Sequence, residues 1–114
     1  MAGTSDRPRH FLFVCGRNRW RSPTAEAIFA GRGGLLTMSA GLSPDAEVPI
    51  DADLVSWADR IFVMERSQLR KLKRQFGALL AERRVVSLDI PDRYRFMEPA
   101  LVDQLERKMR PFLR

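Results

Sequence analysis

The feature that most constrains this chain is a set of four short apolar runs, each set apart from the next by a helix-like segment. His10-Phe11-Leu12-Phe13-Val14 is rich in aromatics and reads as a buried strand. Leu35 to Ser39, ended by Gly41, reads as a second strand. Arg60-Ile61-Phe62-Val63-Met64 and Arg84 to Leu88 read as the third and fourth. Between the first two, Ser22-Pro23 starts a helix, with Ser at the N-cap and Pro at the first helical position. That helix stops near Gly31. Asp51 to Trp57 reads as a short helix. Ser67 to about Leu80 reads as a basic amphipathic helix, with Leu69, Leu72, Phe76 and Leu79 on one face. A last helix runs from about Pro99 to Arg110, where Pro111 should end it. Strands that alternate with helices predict an α/β fold of three layers, a parallel sheet covered by helices on both faces. Ligands bind such sheets beyond the carboxyl ends of the strands. Two segments there look chemical, Cys15–Ser22 and Asp89–Tyr94.

A chain of 114 residues, 45% of them apolar, suits one modest core. The polar start predicts a flexible tail over 1–9 and a single domain over 10–114. No apolar run approaches the roughly 18 residues of a membrane helix, and the start has no apolar core of a secretory signal. The lone cysteine excludes an internal disulfide and a zinc site built of thiols. It suits a reducing compartment, so the expected location is cytoplasmic. No metal and no cofactor are expected. The net charge of +6 favours anionic partners. Residues 66–84 carry seven Lys/Arg and one acid, a solvated face or a docking site for an acidic or nucleic-acid partner.

The segment Cys15-Gly16-Arg17-Asn18-Arg19-Trp20-Arg21-Ser22 is a cysteine, five residues, then Arg-Ser, between a strand and a helix start. A loop closing onto a helix N-terminus aims several N–H groups at one spot, which binds a tetrahedral oxyanion. The same field favours a thiolate at its centre. A guanidinium clamps two phosphate oxygens in a fork and neutralises transition-state charge. Cys15 is thus the candidate nucleophile and Arg21 the clamp. Ser22 is placed to donate to the sulfur. Asn18 suits the left-handed conformation that a tight loop needs. The competing reading is an anion-binding turn with a bystander cysteine.

At this point the chain resembles the low-molecular-weight protein tyrosine phosphatases, closest to a short subgroup of predicted phosphatases. Phe13-Val14-Cys15, Asn18, Arg21-Ser22-Pro23 and Ala25-Glu26 match the family's phosphate loop. Ser39-Ala40-Gly41 matches its Ser-Ala-Gly, and Trp57 to Met64 looks like its Ala-Asp-apolar strand. Ile90-Pro91-Asp92-Arg93-Tyr94 resembles its late Ile-Pro-Asp-Pro-Tyr loop. The similarity spans about 10–113. It implies a four-stranded parallel sheet in order 2-1-3-4, with the phosphate loop after strand 1. It also implies a phosphocysteine on Cys15 and an Asp that first protonates the leaving oxygen and then activates water. The family position of that Asp falls on Asp92; Asp89 and Glu98 are rivals. The resemblance further implies that Ser39 bonds Asn18 to hold the loop and that Tyr94 walls the cleft.

The chain departs from the family at four loop positions. Arg17 replaces the family's Gly, Gly16 stands one residue early, Trp20 replaces a second cysteine, and Arg19 replaces an apolar wall. Gly16, Arg17, Asn18, Arg19 and Trp20 are therefore expected to bind substrate with an altered preference. Arg17 and Arg19 suggest a polyanionic substrate, or else face outward to acids such as Asp92 or Glu98. The expected partner is a phosphorylated protein or a small phosphate ester. The alternatives are a non-catalytic phosphate or nucleic-acid binding module, and arsenate reduction with an external thiol. Nothing in the sequence specifies an oligomeric state.

Overall fold

A computed structural model describes residues 9–80 and 84–113. Most of the expected tail lies outside these residues. The four apolar runs form four parallel strands: β1 (His10–Cys15), β2 (Leu36–Gly41), β3 (Arg60–Val63) and β4 (Arg84–Ser87). Their order is β2-β1-β3-β4, as the resemblance implies.

Strand period 2 sorts the side chains of β1 onto two faces. Phe11, Phe13 and Cys15 point to one face, under helices α1 (Arg21–Phe29) and α4 (Pro99–Met109). Leu12 and Val14 point to the other, under α2 (Ala52–Trp57) and α3 (Arg66–Phe76). On the first face Phe13 lies between Phe62 and Phe29, with ring centroids 5.4 and 5.9 Å away. Phe11, Phe13, Phe29 and Phe62 are all buried there, each contributing about 2–3 kcal/mol of apolar burial. Cys15 is the last residue of this row, so its sulfur emerges where β1 leaves the sheet.

Local chemistry sets the helix ends. Asp51 caps α2, its carboxylate accepting from the Leu54 N–H at 2.8 Å. The helix expected over Ser67–Leu80 begins one residue earlier and becomes a 3-10 turn at Gly77–Leu80, where glycine is a poor helix former. The α-helix of α4 ends at Met109 and tightens into a 3-10 turn over Arg110–Phe112, since Pro111 has no N–H to extend the α-helical ladder. His10 stacks on Trp57 at 4.5 Å and bonds the Trp57 carbonyl, a structural role at the start of β1.

The start of α1 differs from expectation. Its first residue is Arg21, and Trp20 occupies the N-cap without a side-chain cap bond. Ser22 does not cap, because its hydroxyl is buried and turned back toward Cys15.

Candidate active site

The cleft lies beyond the carboxyl ends of the strands and measures about 440 Å³. Cys15, Gly16, Arg17, Arg19, Trp20, Arg21, Ser43, Glu65, Gln68 and Asp92 line it. Three stretches of chain build it, one from each of the first three strand ends, and the fourth strand's exit supplies Asp92.

The loop after β1 supplies the floor. Asn18 adopts a φ of 58°, in the left-handed region, and turns the chain back toward the helix. Among the described residues no backbone carbonyl accepts from the N–H of Arg17, Asn18, Arg19, Trp20 or Arg21. Those donors, with the uncapped start of α1, are the kind of arrangement that can accept an anion. Cys15 Sγ lies 2.9 Å from Ser22 Oγ, and Asn18 Nδ2 donates to that same Oγ at 3.0 Å. With Asn18 donating to one lone pair, the Ser22 hydroxyl still has its proton, which it can donate to a Cys15 thiolate. Cys15, Asn18, Arg21 and Ser22 are buried, so the group is fixed by packing as well as by hydrogen bonds.

Arg21 is held from two sides. Its Nη1 donates to Glu65 Oε2 at 2.6 Å and to the Ile90 carbonyl at 2.9 Å. Its Nε lies 3.7 Å from Asp92 Oδ1. Among the described residues Nη2 has no protein acceptor, and Arg21 lines the cleft. Glu65 escaped the sequence reading. It is the N-cap of α3, at the end of β3, and Gln68 Oε1 fastens it by accepting from the Met64 and Glu65 N–H groups at 2.8 and 3.0 Å. The only sequence signal was a Glu at a strand end, three residues before a Gln, in a capping-box spacing.

A second brace also escaped it. Leu42, Ser43 and Glu47 donate their N–H groups to the carbonyls of Cys15, Gly16 and Arg17 at 2.9, 2.9 and 3.2 Å. These bonds tie three of the loop's carbonyls to the segment after β2. Gly41 permits this approach: a Cβ there would stand 2.6 Å from the Gly16 carbonyl oxygen and 2.5 Å from the Ala46 Cβ.

The late loop separates the acid candidates. Asp92 is exposed on the cleft rim. Asp89 is not among the lining residues; it accepts from the Ser87 hydroxyl at 2.6 Å and lies 3.9 Å from Arg66 Nε. Glu98 accepts from the Arg95 N–H at 3.0 Å and so closes the turn before α4.

Two placements correct the expectation. Ser39 does not bond Asn18: strand alternation turns it toward α1, where it donates to the Glu26 carboxylate. Tyr94 does not wall the cleft. It packs on the apolar face beneath α4, and its hydroxyl accepts from Gln104 Nε2 at 2.6 Å. Arg17 and Arg19 are exposed and line the cleft, and neither forms an ion pair among the described residues. Both share the cleft with Asp92, and both act on Asp45. The Ser43 hydroxyl, then the charges of Arg17 and Arg19, hold the Asp45 carboxyl below its usual range.

Sheet order, phosphate-type loop and uncapped helix together define a chain with the fold of the low-molecular-weight protein tyrosine phosphatases. Among solved structures it is similar to the tyrosine phosphatase Wzb from Escherichia coli K30 in complex with phosphate. The two are 19% identical over 91% of this chain and 95% of that one, with a TM-score of 0.74. The YwlE arginine phosphatase from Geobacillus stearothermophilus is 20% identical over 93% and 91%, with a TM-score of 0.73. The low molecular weight protein tyrosine phosphatase SP-PTP from Streptococcus pyogenes is 14% identical over 92% and 91%, with a TM-score of 0.71. No protein-family model matches the chain, and no curated protein does. No helix among the described residues is long and apolar enough to cross a membrane, and no group of acids, His and Cys among them could hold a metal ion.

Proposed function

We propose that this chain is a cysteine-dependent phosphatase that hydrolyses a phosphomonoester on protein, with tyrosine as the phosphorylated residue. The observation that carries this reading is the Cys15–Ser22 contact of 2.9 Å on the floor of a cleft whose walls hold Arg21 and Asp92. The phosphoryl group sits in the loop's N–H cradle, clamped by Arg21. Cys15 Sγ attacks phosphorus in line. An S–P bond forms as the P–O bond breaks, and Asp92 gives its proton to the departing oxygen. Asp92 then takes a proton from water, whose oxygen attacks phosphorus. The S–P bond breaks and the sulfur leaves as a thiolate, stabilised by the Ser22 hydroxyl. Arg21 offsets the charge that gathers on the equatorial oxygens.

The test is hydrolysis of an aryl phosphate under reducing conditions by the wild type and by Cys15→Ser. Turnover lost in the variant, with inorganic phosphate still bound, is the expected result. Turnover by neither protein, with phosphate bound by both, makes the chain a phosphate-binding module.

Phosphoarginine is a second reading, favoured by one observation. Glu65 and Asp92 place two carboxylates on the cleft, a lining suited to a substrate guanidinium. YwlE, which has the same fold, is an arginine phosphatase. Matched phosphotyrosine and phosphoarginine peptides discriminate the two by kcat/KM.

A further inference from the structure

A second groove of about 470 Å³ opens directly off the cleft. Gly16, Ser43 and Gln68 line both, so the two are continuous. Beyond those shared residues the groove runs along α3 past Ser67, Lys71 and Arg74. Helical spacing explains the lining. Ser67, Lys71 and Arg74 stand at i, i+4 and i+7 on one face of α3, while Leu72 on another face is buried against the sheet. Among the described residues neither Lys71 nor Arg74 is ion-paired. Among the described residues no carboxylate lines the groove. It thus differs from the cleft itself, where Glu65 and Asp92 offset Arg21.

We infer that this groove is a subsite for acidic side chains flanking the phosphorylated residue of a protein substrate. The inference rests on the proposed phosphatase reading and adds a substrate class to it. The groove starts at Gly16, which has no side chain to separate it from the phosphate cradle. A chain leaving the cradle past Gly16 meets two cations within reach of an Asp or Glu carboxylate. An extended peptide advances about 3.3 Å per residue, so acids within the first few positions are the ones that pair. Such partly exposed pairs contribute modestly each, and two of them give roughly a fivefold preference that weakens with salt.

The experiment compares two phosphotyrosine peptides, identical except that one carries three glutamates on each side of the phosphotyrosine and the other three glutamines. Wild type, Lys71→Glu/Arg74→Glu and a charge-matched control, Lys73→Glu/Arg107→Glu, are assayed with both. The readout is the ratio of their kcat/KM values. A roughly fivefold preference for the acidic peptide in wild type and control, expressed in KM and abolished or reversed in Lys71→Glu/Arg74→Glu, is the expected result. Equal use of both peptides by wild type overturns the inference. So does a preference that survives in Lys71→Glu/Arg74→Glu or disappears equally in the control. Fluorescence anisotropy with labelled peptides on the Cys15→Ser protein repeats the comparison as binding. It therefore decides the groove's role even if the wild type turns over no aryl phosphate, the outcome that counts against the phosphatase reading alone.

Discussion

At the residue scale, the site depends on how a few polar groups are held. Asp92 and Asp89 are three residues apart, yet only Asp92 reaches the cleft. General acid–base catalysis contributes about 10²–10⁴-fold. Asp92→Asn is therefore expected to lower kcat about a hundredfold on an alkyl-like leaving group, and less on p-nitrophenyl phosphate, whose leaving group needs little protonation. Asp89→Asn should stay within about twofold of wild type. A reversed order in the same assay would move the acid to Asp89. Glu65 is a positioning residue, since it acts through Arg21. Glu65→Ala removes a hydrogen bond to a charged group of about 1.5–3 kcal/mol in gross worth, reduced by Glu65's partial exposure. It should cost about tenfold in kcat/KM, and Glu65→Gln, which keeps an acceptor at the same reach, should restore most of that. A purely structural role would show instead as equal losses of melting temperature and activity in both variants. The loop from Cys15 to Ser22 was legible because its members are contiguous. Glu65 was not, because a salt bridge across 44 positions has no local pattern. Ser39 and Tyr94 were misplaced for a related reason. Each was assigned through the family resemblance, but strand alternation and a bond from Gln104 decide where the two side chains go.

At the element scale, the phosphate loop is shaped by β2 as much as by β1. The strand ends in Gly41, and the chain that follows returns to hydrogen-bond the carbonyls of Cys15, Gly16 and Arg17. The Ser39-Ala40-Gly41 motif was visible in the sequence, but its purpose was read from the wrong member. Ser39 serves α1, while Gly41 provides the clearance. Gly41→Ala inserts a methyl 2.6 Å from the Gly16 carbonyl, a backbone atom that cannot rotate away. Overpacking of this kind costs about 1–3 kcal/mol. The variant should lose that much in urea unfolding and lose activity by more than tenfold, because the displaced backbone carries the cradle. Gly77→Ala, where nothing lies within 4 Å of an added Cβ and the backbone is helical, is the control and should leave activity near wild type with stability level or raised by up to about 1 kcal/mol. Equal behaviour of the two variants would show that the close approach at Gly41 does not govern the loop.

At the scale of the whole molecule, the helix layers and the parallel sheet were legible because apolar runs alternate with helical segments, while the strand order came from the family resemblance. Less legible were the ties that close the α1–α4 side, since they join loops far apart in sequence. Arg32, in the turn after α1, forms a two-pronged ion pair with Glu106 on α4. The hydrogen bond from Arg32 holds the Glu106 carboxyl below its ordinary value. A carboxyl depressed in the folded state contributes stability above its unfolded pKa, and that contribution is lost as pH falls through the folded value. The loss therefore begins near pH 4.5 and is complete below the depressed value. Both side chains are more than a third exposed, so the pair is worth only about 0.5 kcal/mol and is weakened by salt. Glu106→Gln should lower the melting temperature by about 2 °C at pH 7 and by nothing measurable at pH 2.5. A shift that persisted undiminished at the lower pH would mean that packing of the Glu106 stem against Arg32, and not its charge, ties the turn to α4.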